Sequence, residues 1–350
     1  MADIITLAHG SGGTQTQQLI EEFFAGAYGN QFLQTGDDAA VFDLGELLQP
    51  GARLAFSTDS YVVTPQFFPG GDIGRLAICG TVNDLATSGA RPLYISLGFI
   101  LEEGFALADL RRIVASISAA AQEAGVQVVT GDTKVVEFGK GDGIYINSSG
   151  VGVIAPGVDV SGNNCQPGDA ILLSGSLGDH GIAIVSTRER LSFDAPIKSD
   201  AAPLAALVQA VLAAAPHTHS FRDPTRGGLA STLNEMAQQS GTCMIVEENR
   251  VLVKDAVRGA ADMLGFDLYQ LANEGKMVAI VPAAEAAQAL AAMQASPYGY
   301  GAEAAIIGTV VSRDAPELPQ TRLFQAYVRT ALGSLRVMDR LSGEQLPRIC

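Results

Sequence analysis

Positive charge is the first thing this sequence is short of. Its 350 residues carry 22 lysines and arginines against 37 aspartates and glutamates, a formal charge of −15 at pH 7. A chain this acidic repels phosphate backbones, which argues against nucleic acid as its main partner. Long apolar runs are missing as well. Glycine or charge interrupts each one before the roughly 18 residues that a membrane-crossing helix needs, so no transmembrane helix is expected. The start, Met1-Ala2-Asp3-Ile4-Ile5, has neither the basic region nor the cleavage site of a secretory leader, which places the protein in the cytoplasm. Cysteine is scarce, and Cys79, Cys165, Cys243 and Cys350 form no CxxC or Cys/His pair of the zinc-binding type. Cys79 and Cys243 lie in apolar runs and read as buried thiols; Cys165 reads as an incidental member of a turn.

What is present suits two domains and a short extension. Apolar residues make up 47% of the chain and glycine fills 39 positions, so sizeable cores and frequent turns are expected. Ala155-Pro156-Gly157 reads as a boundary, giving domains over 1–155 and 156–315 and an extension over 316–350. Apolar patterning predicts helices over 17–24, 71–88, 107–124, 204–214, 229–239 and 283–293. It predicts strands over 53–57, 93–101, 126–129, 144–154, 170–173, 217–221, 277–281 and 304–310.

Acidic side chains recur at the edges of these elements: Asp37, Asp38, Asp59, Asp84 and Asp132. A single aspartate is ordinarily solvated surface, but five in such positions point to a shared task. Mg²⁺ takes hard oxygen ligands together with water and substrate phosphates, and clustered carboxylates repel one another unless cations sit between them. The expectation is a Mg²⁺-nucleotide site, with Lys134 of Thr130-Gly131-Asp132-Thr133-Lys134 meeting phosphate. The alternative for Lys134 is an ion pair with a neighbouring aspartate.

Two glycine-rich stretches precede helices, His9-Gly10-Ser11-Gly12-Gly13-Thr14 and Gly178-Asp179-His180-Gly181. Such loops let backbone amides converge on an anion at a helix start, although no Gly-Lys-Ser/Thr follows the first, so it is not a Walker loop. Arg222 and Arg226 bracket a tight turn, Arg222-Asp223-Pro224-Thr225-Arg226-Gly227-Gly228, where an anion is again favoured. Glu274 in Asn273-Glu274-Gly275-Lys276 is either a general base or a solvated turn residue. His217 and His219 share a face of the expected strand, so a metal is conceivable there, but no third ligand is evident.

The last four residues, Pro347-Arg348-Ile349-Cys350, end in a thiol on a tether. The glycine and polar residues of 339–346 form a candidate hinge, and Pro347 resists helix formation. A neighbouring terminal carboxylate would raise the thiol's pKa and Arg348 would offset it. The alternative is a frayed terminus.

These stretches, together with Thr58-Asp59-Ser60-Tyr61-Val62-Val63-Thr64-Pro65 and Gly80-Thr81-Val82-Asn83-Asp84-Leu85, resemble the HypE family of hydrogenase maturation proteins over essentially the whole chain. That family is similar to aminoimidazole ribonucleotide (AIR) synthetase, selenophosphate synthetase and thiamine-monophosphate kinase, which lack the terminal cysteine motif. The resemblance implies an α/β, AIR synthetase-like fold of two domains. The N-terminal one is a mixed sheet or barrel that dimerises; the C-terminal one is a sheet flanked by helices, followed by a mobile tail. It implies ATP held by His9, Gly10, Ser11, Gly12, Gly13, Asp38, Asn83, Thr133, Lys134, Gly178, Asp179 and Arg222, with Mg²⁺ on Asp37, Asp38, Asp59, Asp84 and Asp132. Cys350 would carry a carbamoyl group delivered by the carbamoyltransferase HypF. ATP would drive its dehydration to a thiocyanate, with Glu274 and Lys134 as catalytic partners. The cyanide would pass to a HypC-HypD complex, and the tail would occupy two positions biased by nucleotide. A small-molecule kinase or synthetase, or a non-catalytic nucleotide-dependent scaffold, is the competing reading.

Overall fold

The computed structural model describes residues 4–11, 14–34, 40, 45, 49–191, 197–319, 325–340, 346 and 348–350. Gly12, Gly13, Asp37 and Asp38 of the expected nucleotide site, most of the expected hinge and Pro347 lie outside the described residues. The chain opens with a 3-10 turn, Leu7–Gly10, and short helices α1 (Thr14–Leu19), α2 (Gly26–Tyr28) and α3 (Gln31–Gln34), with a π-helical turn, Ile20–Ala25, between α1 and α2. There follow β1 (Arg53–Tyr61), a small hairpin of β2 (Phe67–Phe68) and β3 (Gly71–Asp72), α4 (Ile73–Thr87), β4 (Arg91–Glu102), α5 (Leu107–Ala124), β5 (Gln127–Val136) and β6 (Ile144–Ile154).

The N-terminal sheet has the order β1-β6-β4-β5, antiparallel except for the β4/β5 pair that α5 connects. Alternate residues of β4, Ile95, Leu97, Phe99 and Leu101, are buried against the helices. From α5 come Leu110, Ile113, Val114, Ile117 and Ala121, the spacing that puts one stripe on the sheet. The α4 helix is apolar nearly all round because it also meets the C-terminal half. Asp72 starts it by accepting the Arg75 amide at 3.0 Å. The other face of the sheet leaves Leu54, Phe56 and Ile100 exposed.

The C-terminal half contains β7 (Ala170–Leu173), α6 (Asp179–Arg188), α7 (Ala205–Ala214), β8 (Ser220–Arg222), α8 (Gly228–Ser240), β9 (Cys243–Glu247) and α9 (Asp255–Leu264). It closes with β10 (Val278–Val281), α10 (Ala286–Gln294), β11 (Ala305–Val311), β12 (Ala326–Arg329) and β13 (Leu335–Val337). Its sheet runs β13-β12-β9-β11-β7-β10-β8, antiparallel except for β9/β12. Every residue of β7 is buried because helices cover both faces. Ala170 and Leu172 join the cluster containing Leu207, Val211 and Met293 of α7 and α10, whereas Ile171 and Leu173 join Leu229, Leu233 and Met236 of α8.

Several elements depart from their expected bounds. Both β1 and β5 continue through the polar stretches taken as their ends, so Asp59, Asp132 and Lys134 are mid-strand residues. Strand β8 begins only at Ser220, which leaves His217 and His219 outside it. His219 pairs with Asp169 at 2.7 Å and His217 with Glu285, so these histidines have carboxylate partners instead of a shared metal. Cys165 is no incidental turn residue: it is 3% exposed and packs in the α8 cluster.

Candidate active site

The chain's last residues return to the seam between the two halves. Just beyond β1, the Val62 amide donates to the Cys350 carbonyl and the Thr64 amide to the Arg348 carbonyl, both at 3.1 Å, as in an added strand. Arg348 turns the chain with a left-handed φ of 55°. Ile349 is thereby buried in the main core, 4% exposed. Its carbonyl meets His180 Nε2 at 2.7 Å, and the Arg348 carbonyl accepts from Arg188 at 2.8 Å. The Arg348 side chain donates to the Val62 carbonyl and pairs with Asp142.

This geometry delivers the thiol of Cys350 to Arg226, whose guanidinium donates to Sγ at 3.3 Å. Burial first, then the nearby Glu274, push the thiol up to about 11, while Arg226 pulls the other way. The counter-charge is therefore Arg226, not Arg348, which is committed to Asp142. Held here, the sulfur stays largely protonated at neutral pH, so it is a poor nucleophile in this position.

Glu274 is 3% exposed, which replaces the reading of a solvated turn residue. Burial drives its carboxyl well above the ordinary range, helped by the charges of Asp223, Asp200, Asp59 and Asp84. Its loop is fixed from two sides. The Glu274 amide donates to Asp200 Oδ1 at 3.1 Å, and Asp200 Oδ2 accepts from Lys276 at 3.0 Å in a buried ion pair. On the other side, the Asn273 amide and side chain both donate to the Pro224 carbonyl, tying this loop to the Arg222–Arg226 turn.

A polar cleft of about 760 Å³ opens between β1, α4 and the start of α8. Asp84, Asp223, Arg222 and Arg226 line it. Asp84 accepts from Ser57 at 2.8 Å, and its carboxyl is raised by burial and by Asp59. Asp223 is pushed up to about 7, by burial first and then by Asp84. Its place in the Arg222–Arg226 motif singled out the loop, but an aspartate before proline reads as an ordinary turn residue, and only the folded seam brings it beside Asp84 and Asp59.

The other expected site residues divide into three groups. His9 and Gly10 lie against β5, where a Cβ on Gly10 would stand 2.6 Å from the Val135 amide nitrogen, so only glycine fits. His9 turns its Nδ1 onto Thr6, and Ser11 donates to the Ala8 carbonyl. Near them, Lys134 meets both oxygens of Asp132 at 2.6 Å, the ion-pair alternative, which lowers the Asp132 pKa. Thr133 and Asp132 line a smaller cavity of about 180 Å³ with Phe24, Tyr28 and Phe99. The second group is Asp59 and Asp84, on the helix-covered side of β1. Since β1 and β5 are opposite edges of a four-stranded sheet, three strand spacings or roughly 14 Å separate these two groups. Among the described residues no three Asp, Glu, His or Cys side chains converge as a metal cage.

The third group is engaged internally. Asn83 is buried, its amide donating to the Ala202 carbonyl and accepting the Leu204 amide, which fastens α4 to the 200–204 segment. Gly178, with φ 85°, gives its amide to Asn273, and Asp179 is held by Ser176 and Lys254. Arg222 reaches Glu235 and Gln239 on α8 while lining the cleft. The second glycine-rich stretch thus grips protein groups, including the tail through His180.

The family model described as AIR synthase related protein, N-terminal domain, matches residues 36–154, and its C-terminal counterpart matches 166–319. Carbamoyl dehydratase HypE of Azotobacter vinelandii is 55% identical over 346 residues, which is 99% of this chain and 97% of that protein. A crystal structure of the hydrogenase maturation protein HypE in complex with ATP is 48% identical with a TM-score of 0.92, covering 98% of this chain and 99% of that one. HypE in a HypE-HypF complex is 44% identical with a TM-score of 0.77, over 92% of this chain and 99% of that one.

Proposed function

This chain belongs to the HypE carbamoyl dehydratase family, and we propose that it dehydrates a carbamoyl group carried on Cys350 to a thiocyanate, the cyanide source for the active-site iron of a nickel–iron hydrogenase. The observation that carries this reading is the seating of Cys350 Sγ beside Arg226 and within the field of buried Glu274. A thiol needed only as a surface nucleophile has no reason to occupy a buried seam.

The chemistry assigns roles to this chain's groups. Arg226 faces the sulfur and would face the oxygen or nitrogen of an attached carbamoyl group. Glu274 accepts a proton from the carboxamide nitrogen, and burial of its carboxyl gives the ionised form the basicity to do so. Bound ATP supplies the phosphoryl group that turns a poor amide oxygen leaving group into a good one. The cleft bordered by Arg222 and Arg226 offers charge for that phosphate. Asp59 and Asp84 are the carboxylates that would hold Mg²⁺. Among the described residues Asp84 accepts from Ser57 and Asp59 from the Ser60 amide, and Mg²⁺ draws most of its ligands from phosphate and water. Lys134, with His9, Gly10 and Thr133 beside it, lies at the opposite edge of the sheet, roughly 14 Å away, so its expected contact with this phosphate is not made from this position.

Loading belongs elsewhere, because the inward thiol is half-buried and held protonated. We therefore assign the tail an outward position in which HypF carbamoylates it and a HypC-HypD complex takes the cyanide. The open apolar face bearing Leu54, Phe56 and Ile100 supports a homodimer built on the N-terminal sheets, and a cytoplasmic location suits this chemistry. The test is ATP turnover by protein loaded at Cys350, compared with protein lacking the last four residues. Loss of turnover in the truncated protein supports the carrier role; unchanged turnover identifies a small-molecule kinase instead.

A further inference from the structure

His180 is fully buried at the first turn of α6, and the chemistry proposed above gives it no role. Its Nδ1 lies 2.8 Å from Ser199 Oγ and its Nε2 2.7 Å from the Ile349 carbonyl, with the edge of Phe68 packed on the ring, centroids 5.6 Å apart. The neighbours fix its tautomer. Ser199 Oγ already accepts the Ala201 amide at 3.1 Å, so its own hydrogen is free for Nδ1. That leaves the ring proton on Nε2, aimed at the Ile349 carbonyl.

The residue next to Ser199 is Asp200, which accepts the Glu274 amide. Two adjacent residues of one segment thus set two separate things, Ser199 the tail through His180 and Asp200 the loop of Glu274. Ser199 is itself anchored, its amide donating to the Pro69 carbonyl at 2.7 Å, and Arg75 holds the Ala201 carbonyl. Arg188 also grips the tail, but the same guanidinium donates twice to the Thr64 carbonyl and so serves the body of the fold as well.

We infer that His180 is a positioning residue, a latch whose Nε2–H holds the Ile349 carbonyl and so keeps the Cys350 thiol in register with Glu274. The use made of the held thiol rests on the dehydratase reading; the latch does not.

The test is alkylation of the full-length protein by iodoacetamide, without nucleotide or partner, followed at each cysteine by peptide mass. Cys79, which is 0% exposed, reports in the same sample whether the fold is intact. His180→Ala should label Cys350 about fivefold faster than the parent protein, the effect of losing one buried hydrogen bond, with Cys79 still protected. His180→Gln, whose amide can donate to the same carbonyl, should return most of the protection. Labelling of Cys350 at the parent rate in a His180→Ala protein whose Cys79 stays protected would overturn the latch. Should His180→Ala expose Cys79, Ser199→Ala decides, because it removes the partner that orients the ring without touching the ring itself. Faster labelling at Cys350 alone supports the latch, and an unchanged rate contradicts it. Since no carbamoyl chemistry enters, failure of the dehydratase reading leaves these rates as they are.

Discussion

Arg226 and Cys350 meet across the seam of the two halves, guanidinium to sulfur at 3.3 Å, although 124 residues separate them in the chain. The contact sets a favourable charge at a thiol that burial and Glu274 otherwise keep protonated. Under the proposed function, loading outside and conversion inside are then separate acts, divided by the ionisation of one sulfur.

Replacing Arg226 by Gln should raise the inward thiol's pKa further above about 11, because the guanidinium that lowers it is lost. The alkylation rate of Cys350 against pH reports this. The profile should move to higher pH in the variant, and an unmoved profile would show that the contact carries no charge stabilisation.

Glu274→Gln should accept a carbamoyl group at Cys350 at the parent rate and dehydrate it about 10² to 10⁴ times more slowly, the usual worth of one proton transfer. It also carries a stability signature. The Glu274 pKa is raised on folding, so the neutral carboxyl stabilises the native state, and that contribution is lost as pH rises through the raised value. The Tm of Glu274→Gln relative to the parent should therefore climb with pH above the ordinary carboxylate range. A difference that stays flat would mean the carboxyl is not buried as described.

Asp223→Asn removes the carboxylate that most opposes ionisation of Glu274 by its charge. The pH at which dehydration reaches half its maximum should fall, with the maximal rate less affected than in Glu274→Gln. Both carboxyls titrate as a coupled pair, so the measured midpoint belongs to the pair. A rise in the midpoint would contradict the arrangement.

Much of this was legible in the sequence. The alternation of helices and strands and the buried Cys79 and Cys243 followed from patterning; Glu274 and Cys350 took their roles from the family resemblance, and the fold brings them near one another. The ends of β1 and β5 did not. Ser57-Thr58-Asp59-Ser60 breaks the apolar alternation that marks a half-buried strand, because one face of this sheet is open and the other faces the site. Asn83 was expected to hold nucleotide only through the family resemblance; the fold reveals the backbone groups it satisfies. Arg226 and His180 gained their roles from the returning tail, and Asp223 from its place beside Asp84 and Glu274, contacts across long stretches of chain that no local pattern encodes.

Asn83→Ala should cost about 2 to 4 kcal/mol, because it strands the buried Ala202 carbonyl and Leu204 amide together. The urea midpoint measures it. A loss below about 0.5 kcal/mol, the range of ordinary surface substitutions, would mean those groups find other partners.

The most direct test of the whole account is the intact mass of the protein after carbamoylation at Cys350, read before and after ATP is added. The loaded species should lose the mass of one water while the label stays on Cys350. Consumption of ATP with the loaded mass unchanged, or a label found at another residue, would contradict it.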